Sequence, residues 1–492
     1  MKAVGHGAPQ GHLAVAKNLI GANWQAAVSG ATLPMVEPST GAIFAEIAAS
    51  GARDIDLAVK AARQAFDAGA WGKLAAFERG RLLMRLGEAI LGHADELAGL
   101  EARDCGKPMK QARADVTATA RYFEFYGGAA DKLHGDTIPY LAGMTVIGLR
   151  EPLGVTAHIV PWNYPMQIFA RSVGASLAAG NACVVKPAED ACLSLIRIAE
   201  LALDVGFPPG ALNLVTGTGE AAGAALVAHP AIDFISFTGS PEVGTLVQKA
   251  AADNHVGVTL ELGGKSPQIV FADADLDAVL PFAINAIVQN AGQTCSACSR
   301  LLVERSIYDR FMERLAAAFS ALRVGAHDAD LDCGPLISAR QKARVEGFLG
   351  EADVAKLPIL ARGTIVEGTA DTGFFVAPTL IGNVPPGMRL AREEIFGPVL
   401  SAIPFGDEAE AITLANATEF GLVAALWTRD GGRQMRMARA LRCGQVFVNG
   451  FGAGGGIELP FGGVKKSGHG REKGFEALYE FTAMKTIVLK HG

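Results

Sequence analysis

No stretch of about 18 uninterrupted apolar residues occurs in the 492-residue chain, so no membrane span is expected. No long run of Lys and Arg marks a nucleic-acid surface, and no acidic tail marks a solvated, disordered end. Around Met1-Lys2-Ala3-Val4 no charged segment leads into an apolar run, so no secretory signal is expected. The seven cysteines, Cys105, Cys183, Cys192, Cys295, Cys298, Cys333 and Cys443, are odd in number and scattered. They do not resemble a disulfide framework, and the natural setting is a reducing cytoplasm. Cys295 and Cys298 alone have the C-x-x-C spacing. Without a second pair or a nearby His pair that makes a poor zinc site, and no metal is expected. Internal repeats and low-complexity tracts are also lacking.

What is present is length and small apolar residues. The chain is too long for a single core, so two or more domains are expected. Half of its residues are apolar and 59 are Gly, while the net charge is only -6. That suits a large, tightly packed α/β protein. Residues 1–17 read as a loose arm. A strand signal lies at Leu19-Ile20, and Asp54 to Phe66 reads as a helix with Asp54 as its N-cap. Glu78 to Leu100 continues helical spacing through Leu82, Leu86 and Ile90.

From Val155 onward short β-prone runs alternate with helix-length segments. The runs are Val155–Val160, Ala182–Val185, Leu212–Val215, Phe234–Phe237 and Val258–Leu262. Between them lie Met166–Gly180, Asp190–Gly206, Gly219–His229 and Pro241–Asp253. Such alternation implies a doubly wound, mostly parallel sheet that binds ligands beyond the carboxyl ends of its strands. Asn163, Lys186, Gly217, Gly239 and Glu261 sit at those ends. A second alternation follows Cys295: Arg300–Glu304, a helix from Ser306 to Leu322, and a helix from Glu408 to Ala417. Two isolated β-prone runs, Thr145–Leu149 and Thr486–Leu489, are expected to pair outside the main sheets or across a subunit interface.

Several residues carry possible chemistry, each beside a plainer alternative. Cys295 ends Gly292-Gln293-Thr294-Cys295 and could attack a carbonyl, or be a small buried apolar residue. Cys298 could trap it as a disulfide under oxidation. Glu261 sits inside the apolar run Val258-Thr259-Leu260-Glu261-Leu262, where a carboxylate faces a cleft as a base or else pairs at the sheet end. The following Gly263-Gly264 lets the backbone pass close to something, which favours a cleft. Gly217-Thr218-Gly219-Glu220-Ala221-Ala222-Gly223 is a turn that could set a pyrophosphate on a helix N-terminus through Gly219 and Gly223, although its spacing is not G-x-G-x-x-G. Phe237-Thr238-Gly239-Ser240 repeats that strand-to-helix turn. Lys186 and Glu189 could bracket a ribose, and the carboxylate would repel a 2'-phosphate, favouring NAD over NADP. Asn163 in Pro161-Trp162-Asn163-Tyr164-Pro165 could donate to an oxyanion or cap the next helix.

Taken in order, Pro-Trp-Asn-Tyr-Pro, Lys-Pro-Ala-Glu, Phe-Thr-Gly-Ser, Leu-Glu-Leu-Gly-Gly-Lys, Gly-Gln-Thr-Cys, Glu393-Glu394-Ile395-Phe396-Gly397-Pro398 and Pro460-Phe461-Gly462-Gly463 resemble the aldehyde dehydrogenase superfamily from about Asn18 to Lys490. The resemblance implies a Rossmann-like α/β cofactor domain (18–129 and 152–263), an α/β catalytic domain (264–475) and a small β oligomerisation unit (130–151 and 476–492). It implies a homodimer or homotetramer using NAD, with NADP as a second cofactor in some relatives. It implies that Cys295 attacks an aldehyde while Asn163 and the Cys295 N–H hold the oxyanion, and that Glu261 activates the hydrolytic water. Lys186 and Glu189 would hold the adenosine ribose, Ser240 the pyrophosphate and Glu394 the nicotinamide ribose, with Phe396 near the nicotinamide. Val160, Trp162, Gly219, Gly223, Phe237, Gly239, Val243 and Leu262 would complete the cofactor site. Glu472 fits one position of a proton relay, but Ser172 stands where many relatives carry Lys. Gly450 to Glu458, which usually shapes the substrate mouth, is unusually Gly-rich.

The substrate expectation rests on Arg171. On a helix beginning near Pro165, Tyr164, Ile168 and Arg171 share a face, because seven residues drift only about 20°. Relatives that oxidise succinate semialdehyde have an Arg there to clamp the carboxylate. Their second Arg is Gln289 here, so the match is half complete. A semialdehyde or other polar aldehyde is therefore expected. The alternatives are pairing of Arg171 with an internal carboxylate such as Glu458 and oxidation of an aliphatic, aromatic or amino-aldehyde. A coenzyme-A-acylating enzyme is disfavoured by Glu261.

Overall fold

The computed structural model describes residues 15–452 and 456–491. The expected arm of residues 1–17 lies mostly outside the described residues, as does the centre of the Gly-rich loop at 453–455.

Five parallel strands form the heart of the first sheet: Val155–Val160, Ala182–Pro187, Leu212–Leu214, Phe234–Thr238 and Gly257–Glu261. Apart from His158, whose Nε2 meets the Thr156 hydroxyl at 2.8 Å, Asn213, whose Nδ2 donates to the Gly210 carbonyl at 2.9 Å, and the residues at the strand ends, these runs are apolar or small. Such runs suit strands covered on both faces. In space strand 155–160 is central, flanked by 182–187 on one side and 234–238 on the other. The winding direction therefore reverses between 155–160 and 234–238, and a crevice opens beyond their carboxyl ends. Ile159 stands opposite Phe237 at that point. Antiparallel additions close both edges, Asn18–Ile20 with Asn23–Gln25 on one and Gly468–His469 on the other. The second pairing sets Gly468 opposite Glu261.

The second large sheet is ordered 359–362, 379–381, 399–405, 300–304, 267–270, 423–427, 445–448. All its neighbours are parallel except the first pair. Each large sheet packs against its own apolar clusters. The two isolated runs belong to strands Met144–Pro152 and Thr482–Lys490, which pair with each other antiparallel within the chain, Ile147 facing Ile487. Among the described residues no helix is long and apolar enough to cross a membrane.

Local expectations shift in three places. The helix expected from Asp54 is Ala52–Asp67, with Gly51 as N-cap. Asp54 lies inside the first turn, where its carboxylate accepts from the N–H of Gly51 (3.0 Å) and of Val28 (2.8 Å). One residue thus satisfies an orphan helix-end donor and anchors a distant loop. The segment Glu78–Leu100 is two helices, Ala76–Gly92 and Ala94–Cys105, broken at His93. Gly219 opens a π-type turn, Gly219–Gly223, before the short helix Ala224–Val227.

Candidate active site

Helix Leu276–Val288 runs into a tight turn, Gln289–Gly292, that delivers Cys295. Asn290 (φ 47°) and Ala291 (φ 53°) are left-handed in this turn. A non-glycine residue there costs about 1–3 kcal/mol, so surrounding contacts must impose the shape. Those contacts are present. Asn290 Nδ2 donates to the Asn163 carbonyl (2.8 Å), and the Asn290 N–H donates to Gln111 Oε1 (2.8 Å). Buried Gln293 donates to the Asn290 carbonyl (3.0 Å) and accepts from the Ile337 N–H (2.9 Å). The half-buried Cys295 packs against Leu422, Val423 and Phe461. Burial pushes its thiol up to about 12, against the favourable charge of Arg171.

Asn163 and Tyr164 follow strand 155–160 and grip the Cys295 segment from the other side. Asn163 Nδ2 donates to the Gln293 carbonyl (3.0 Å), and the Tyr164 hydroxyl meets Thr294 Oγ1 (2.9 Å). An amide nitrogen carries two hydrogens, and this bond uses one. The Gly263-Gly264 pair explains how the two halves come so close. A side chain at Gly264 would collide with the Cys295 carbonyl, and one at Gly263 with the Glu394 carboxylate.

Glu261 is 2% exposed and lines the same cleft as Cys295. Neither of its oxygens has a hydrogen-bond partner among the described residues. Burial, reinforced by the charge of Glu472, holds its carboxyl well above the usual carboxylate range, and Arg171 offsets this only in part. Glu472 accepts from Ser236 Oγ (2.9 Å) and forms an ion pair with Arg171. Arg171 also donates to Thr238 Oγ1 (3.4 Å), and its guanidinium lies 5.2 Å from the Phe461 ring centre. Lys473 approaches the same ring at 5.0 Å, and burial pushes it down to about 7.

Arg171, read from the sequence as a substrate clamp, is 6% exposed, pairs with Glu472 and is not on the wall of the cleft, an arrangement that does not favour a clamp. The suggested internal partner is corrected: Glu458 pairs with Arg121 at 2.7 Å. Ser172 simply donates to the Ile168 carbonyl (3.1 Å), and the neighbouring Arg171 supplies the cation beside Glu472. Gln289 is partly exposed in its turn and is not on the wall of the cleft.

That cleft encloses about 1640 Å³ beyond the strand ends. Val160, Trp162, Lys186, Glu189, Phe237, Gly239, Ser240, Val243, Leu262, Glu394 and Phe396 all line it. Lys186 and Glu189 pair at 2.7 Å at one end. Burial opposes ionisation of Glu189, but the Lys186 charge outweighs it and keeps the carboxyl below its ordinary range. Ser240 caps helix Pro241–Asn254, accepting from the Val243 N–H (3.3 Å), so a helix N-terminus faces the cleft. At the other end Glu394 accepts from the Gly264 N–H (2.9 Å), and burial raises it to about 7. Phe396 meets Trp162 edge-on at 5.4 Å. Gly219 and Gly223 are not on the cleft wall, and Gly219 reaches it only through its N–H bond to Glu189.

Sequence reading passed over four residues that shape this site. Gln341 and Arg344 hold the carbonyls of Ile395 and Phe396, which fixes the Glu394–Phe396 turn at the cleft. Asn290 and Lys107 both bond the Asn163 carbonyl. No local motif distinguishes them, because their partners are 50 or more residues away.

A parallel switch-point cleft with a thiol, an unpaired carboxyl and a helix N-terminus along its walls defines a dinucleotide-dependent oxidoreductase. The model of the aldehyde dehydrogenase family matches residues 24–487. The hydroxyisobutyraldehyde dehydrogenase of Mycolicibacterium austroafricanum is 44% identical over 95% of this chain and 92% of its own. A solved structure from Burkholderia cenocepacia, assigned to the aldehyde dehydrogenases, is 65% identical with a TM-score of 0.96, covering 97% of this chain and all of that one. The NAD+ complex of an aldehyde dehydrogenase from Bacillus cereus is 37% identical with a TM-score of 0.94, covering 97% of both chains. The chain belongs to the aldehyde dehydrogenase family. It is an NAD-using oxidoreductase acting on aldehydes.

Proposed function

We propose that the protein oxidises an uncharged aliphatic or aromatic aldehyde to its acid through a thioester on Cys295. The observation that carries the substrate class is the neutralised Arg171. With its charge engaged by Glu472, the apolar residues packed with the thiol are Leu422, Val423 and Phe461, with Phe447 and Phe451 beside them. Such a wall rewards burial of an apolar substrate. The Mycolicibacterium relative is named for a small neutral aldehyde, which is compatible with this reading.

Cys295 adds to the carbonyl carbon, forming a C–S bond while the thiol proton leaves to a base. Asn163 Nδ2 and the Cys295 N–H donate to the oxygen that becomes negative. NAD, which the cleft wall would hold between Lys186–Glu189 and Glu394, accepts the hydride that turns the thiohemiacetal into a thioester. Glu261 then takes a proton from water, the water oxygen adds to the thioester carbon, and the C–S bond breaks. The acid leaves and the thiol is restored. Glu261 suits this step because its oxygens have no hydrogen-bond partner among the described residues and burial holds its carboxyl well above the ordinary carboxylate range, which makes the ionised form a stronger base.

A cytoplasmic setting is supported by the free state of all seven cysteines. Exposed Leu149, Met484, Val488 and Leu489 on the three-stranded sheet support a homodimer or homotetramer. The functional test compares hexanal, benzaldehyde and succinate semialdehyde with NAD and with NADP, following reduced cofactor, with Cys295→Ala as control. Hexanal or benzaldehyde turning over faster than the semialdehyde is the expected result. A clear preference for succinate semialdehyde sinks the substrate class, and turnover surviving in Cys295→Ala sinks the mechanism.

A further inference from the structure

Behind the cleft lies a second charged cluster that the chemistry above does not use. Lys107 is 1% exposed. Its Nζ donates to Glu101 Oε1 (2.9 Å), Asp115 Oδ2 (2.6 Å) and the backbone carbonyl of Asn163 (3.0 Å). It also lies 4.5 Å from the ring centre of Tyr164. Taking an ammonium and two carboxylates out of water costs several kcal/mol per ion, so stability alone is a weak reason for such a cluster.

What it does have is an address. The remaining oxygen of Asp115 accepts from Gln167 Nε2 (2.7 Å), and that of Glu101 from Ser194 Oγ (3.0 Å). The cluster therefore joins helices Ala94–Cys105, Met109–Ala129, Pro165–Ala179 and Leu193–Asp204 to the turn that carries Asn163. The approach is steered by Gly106, which ends its helix at φ 77°. A side chain there would meet Pro335 Cγ at 2.6 Å and Pro38 Cβ at 3.0 Å. On one side of Gly106 the Cys105 Sγ bonds the Trp162 carbonyl (3.1 Å), and on the other Lys107 bonds the Asn163 carbonyl. Two successive carbonyls of the turn are thus held from one tripeptide. Asn290, from the nucleophile's own turn, is the second donor to the Asn163 carbonyl.

We propose that Lys107 is a positioning residue: by holding the Asn163 carbonyl, it aims the Asn163 amide at the oxyanion that forms on Cys295. It touches neither substrate nor cofactor, and the cleft wall does not include it. The inference rests on the oxyanion role proposed above for Asn163.

Removing Lys107 alone would strand a buried carboxylate, so the test removes charge in balance. Of the two carboxylates, Asp115 makes the shorter contact to the Lys107 ammonium, 2.6 Å against 2.9 Å for Glu101. Lys107→Met with Asp115→Asn therefore deletes one positive and one negative charge together. The measurement is a double-mutant cycle with Asn163→Ala, read as kcat/KM for hexanal and as the single-turnover rate of cofactor reduction. The NAD dissociation constant is measured alongside. In the parent chain Asn163→Ala is expected to cost about 100-fold or more. In the Lys107→Met/Asp115→Asn background kcat/KM is already about 100-fold down, as for a misplaced reacting group, with NAD binding unchanged. There, Asn163→Ala costs less than about tenfold more. An equal Asn163→Ala penalty in both backgrounds overturns the inference alone, because a merely structural role is additive. An Asn163→Ala chain as active as the parent removes the oxyanion reading and this inference with it. If the double variant does not fold, Asp115→Asn, which keeps the cation but loosens its anchor, serves in its place. It should lower kcat/KM about threefold to tenfold and shrink the Asn163→Ala penalty, and an unchanged penalty overturns the inference.

Discussion

Arg171 and Glu472 form a buried ion pair, and both of its charges act on the carboxyl of Glu261. The pair decides two things at once. It gives a buried internal partner to the one Arg that the sequence placed beside the pocket. It also sets the electrostatic background of Glu261, because Glu472 raises its carboxyl while Arg171 lowers it.

Arg171→Met should destabilise the fold by about 3–5 kcal/mol, since it leaves a buried carboxylate unpaired. It should leave the ratio of turnover on hexanal to that on succinate semialdehyde unchanged. Chemical denaturation and steady-state rates on both aldehydes check this. A ratio that moves tenfold or so would restore the clamp.

The pH dependence follows from the same pair. Only ionised Glu261 can take a proton from water, so hydrolysis falls as pH drops through its raised pKa. The acid limb of kcat therefore lies above the ordinary carboxylate range of about 4.3. Glu472→Gln removes the like charge and frees Arg171 to favour the ionised form, so the limb should move to lower pH. A limb that stays in place, measured under conditions where hydrolysis limits the rate, would mean that another group titrates.

Glu261→Gln should slow steady-state turnover by about 100-fold to 10,000-fold, the usual share of a general base. A single burst of reduced cofactor, stoichiometric with Cys295, should survive if acylation runs without that base. Rapid-mixing absorbance separates the two phases, and loss of the burst would assign Glu261 to acylation as well.

The Cys295 thiol, raised to about 12 by burial, should be a slow target for iodoacetamide in the absence of cofactor. Its alkylation rate should climb roughly tenfold per pH unit between about pH 7 and pH 10 without levelling, as the thiolate fraction does below its pKa. A plateau below about pH 9 would mean an activated thiol in the resting enzyme.

Glu189→Gln should raise kcat/KM with NADP relative to NAD by roughly tenfold or more, because like charges facing one another cost several kcal/mol. Rates with both cofactors at saturating aldehyde test this. An unchanged ratio would place the 2'-phosphate away from Glu189.

Cys295, Glu261, Asn163 and the strand-end turns were legible in the sequence because each rests on local pattern. A carboxylate inside an apolar run and Gly-Gly after it are signals that a few neighbouring residues carry. The parallel strands read equally well, since alternating short β-prone runs and helix-length segments leave few ways to build a sheet. Gly219 and Gly223 were read from the same kind of signal, and the cleft wall does not include them: a glycine-rich turn after a strand looks alike whether or not it faces the cleft.

The amino-acid sequence by itself determined the fold class and the strand ends around which the cleft forms, and it singled out Cys295, Glu261 and Asn163, which line that cleft. Only the tertiary structure decided what each charge is spent on. Arg171 meets Glu472 across 301 residues of chain, Glu458 meets Arg121 across 337, and Lys107 reaches Asn163 across 56. Periodicity can place a side chain on a face of its helix. It cannot say which carboxylate arrives on the element packed opposite, and in a buried site that partner determines whether a charge holds the fold, aims a donor or waits for a substrate.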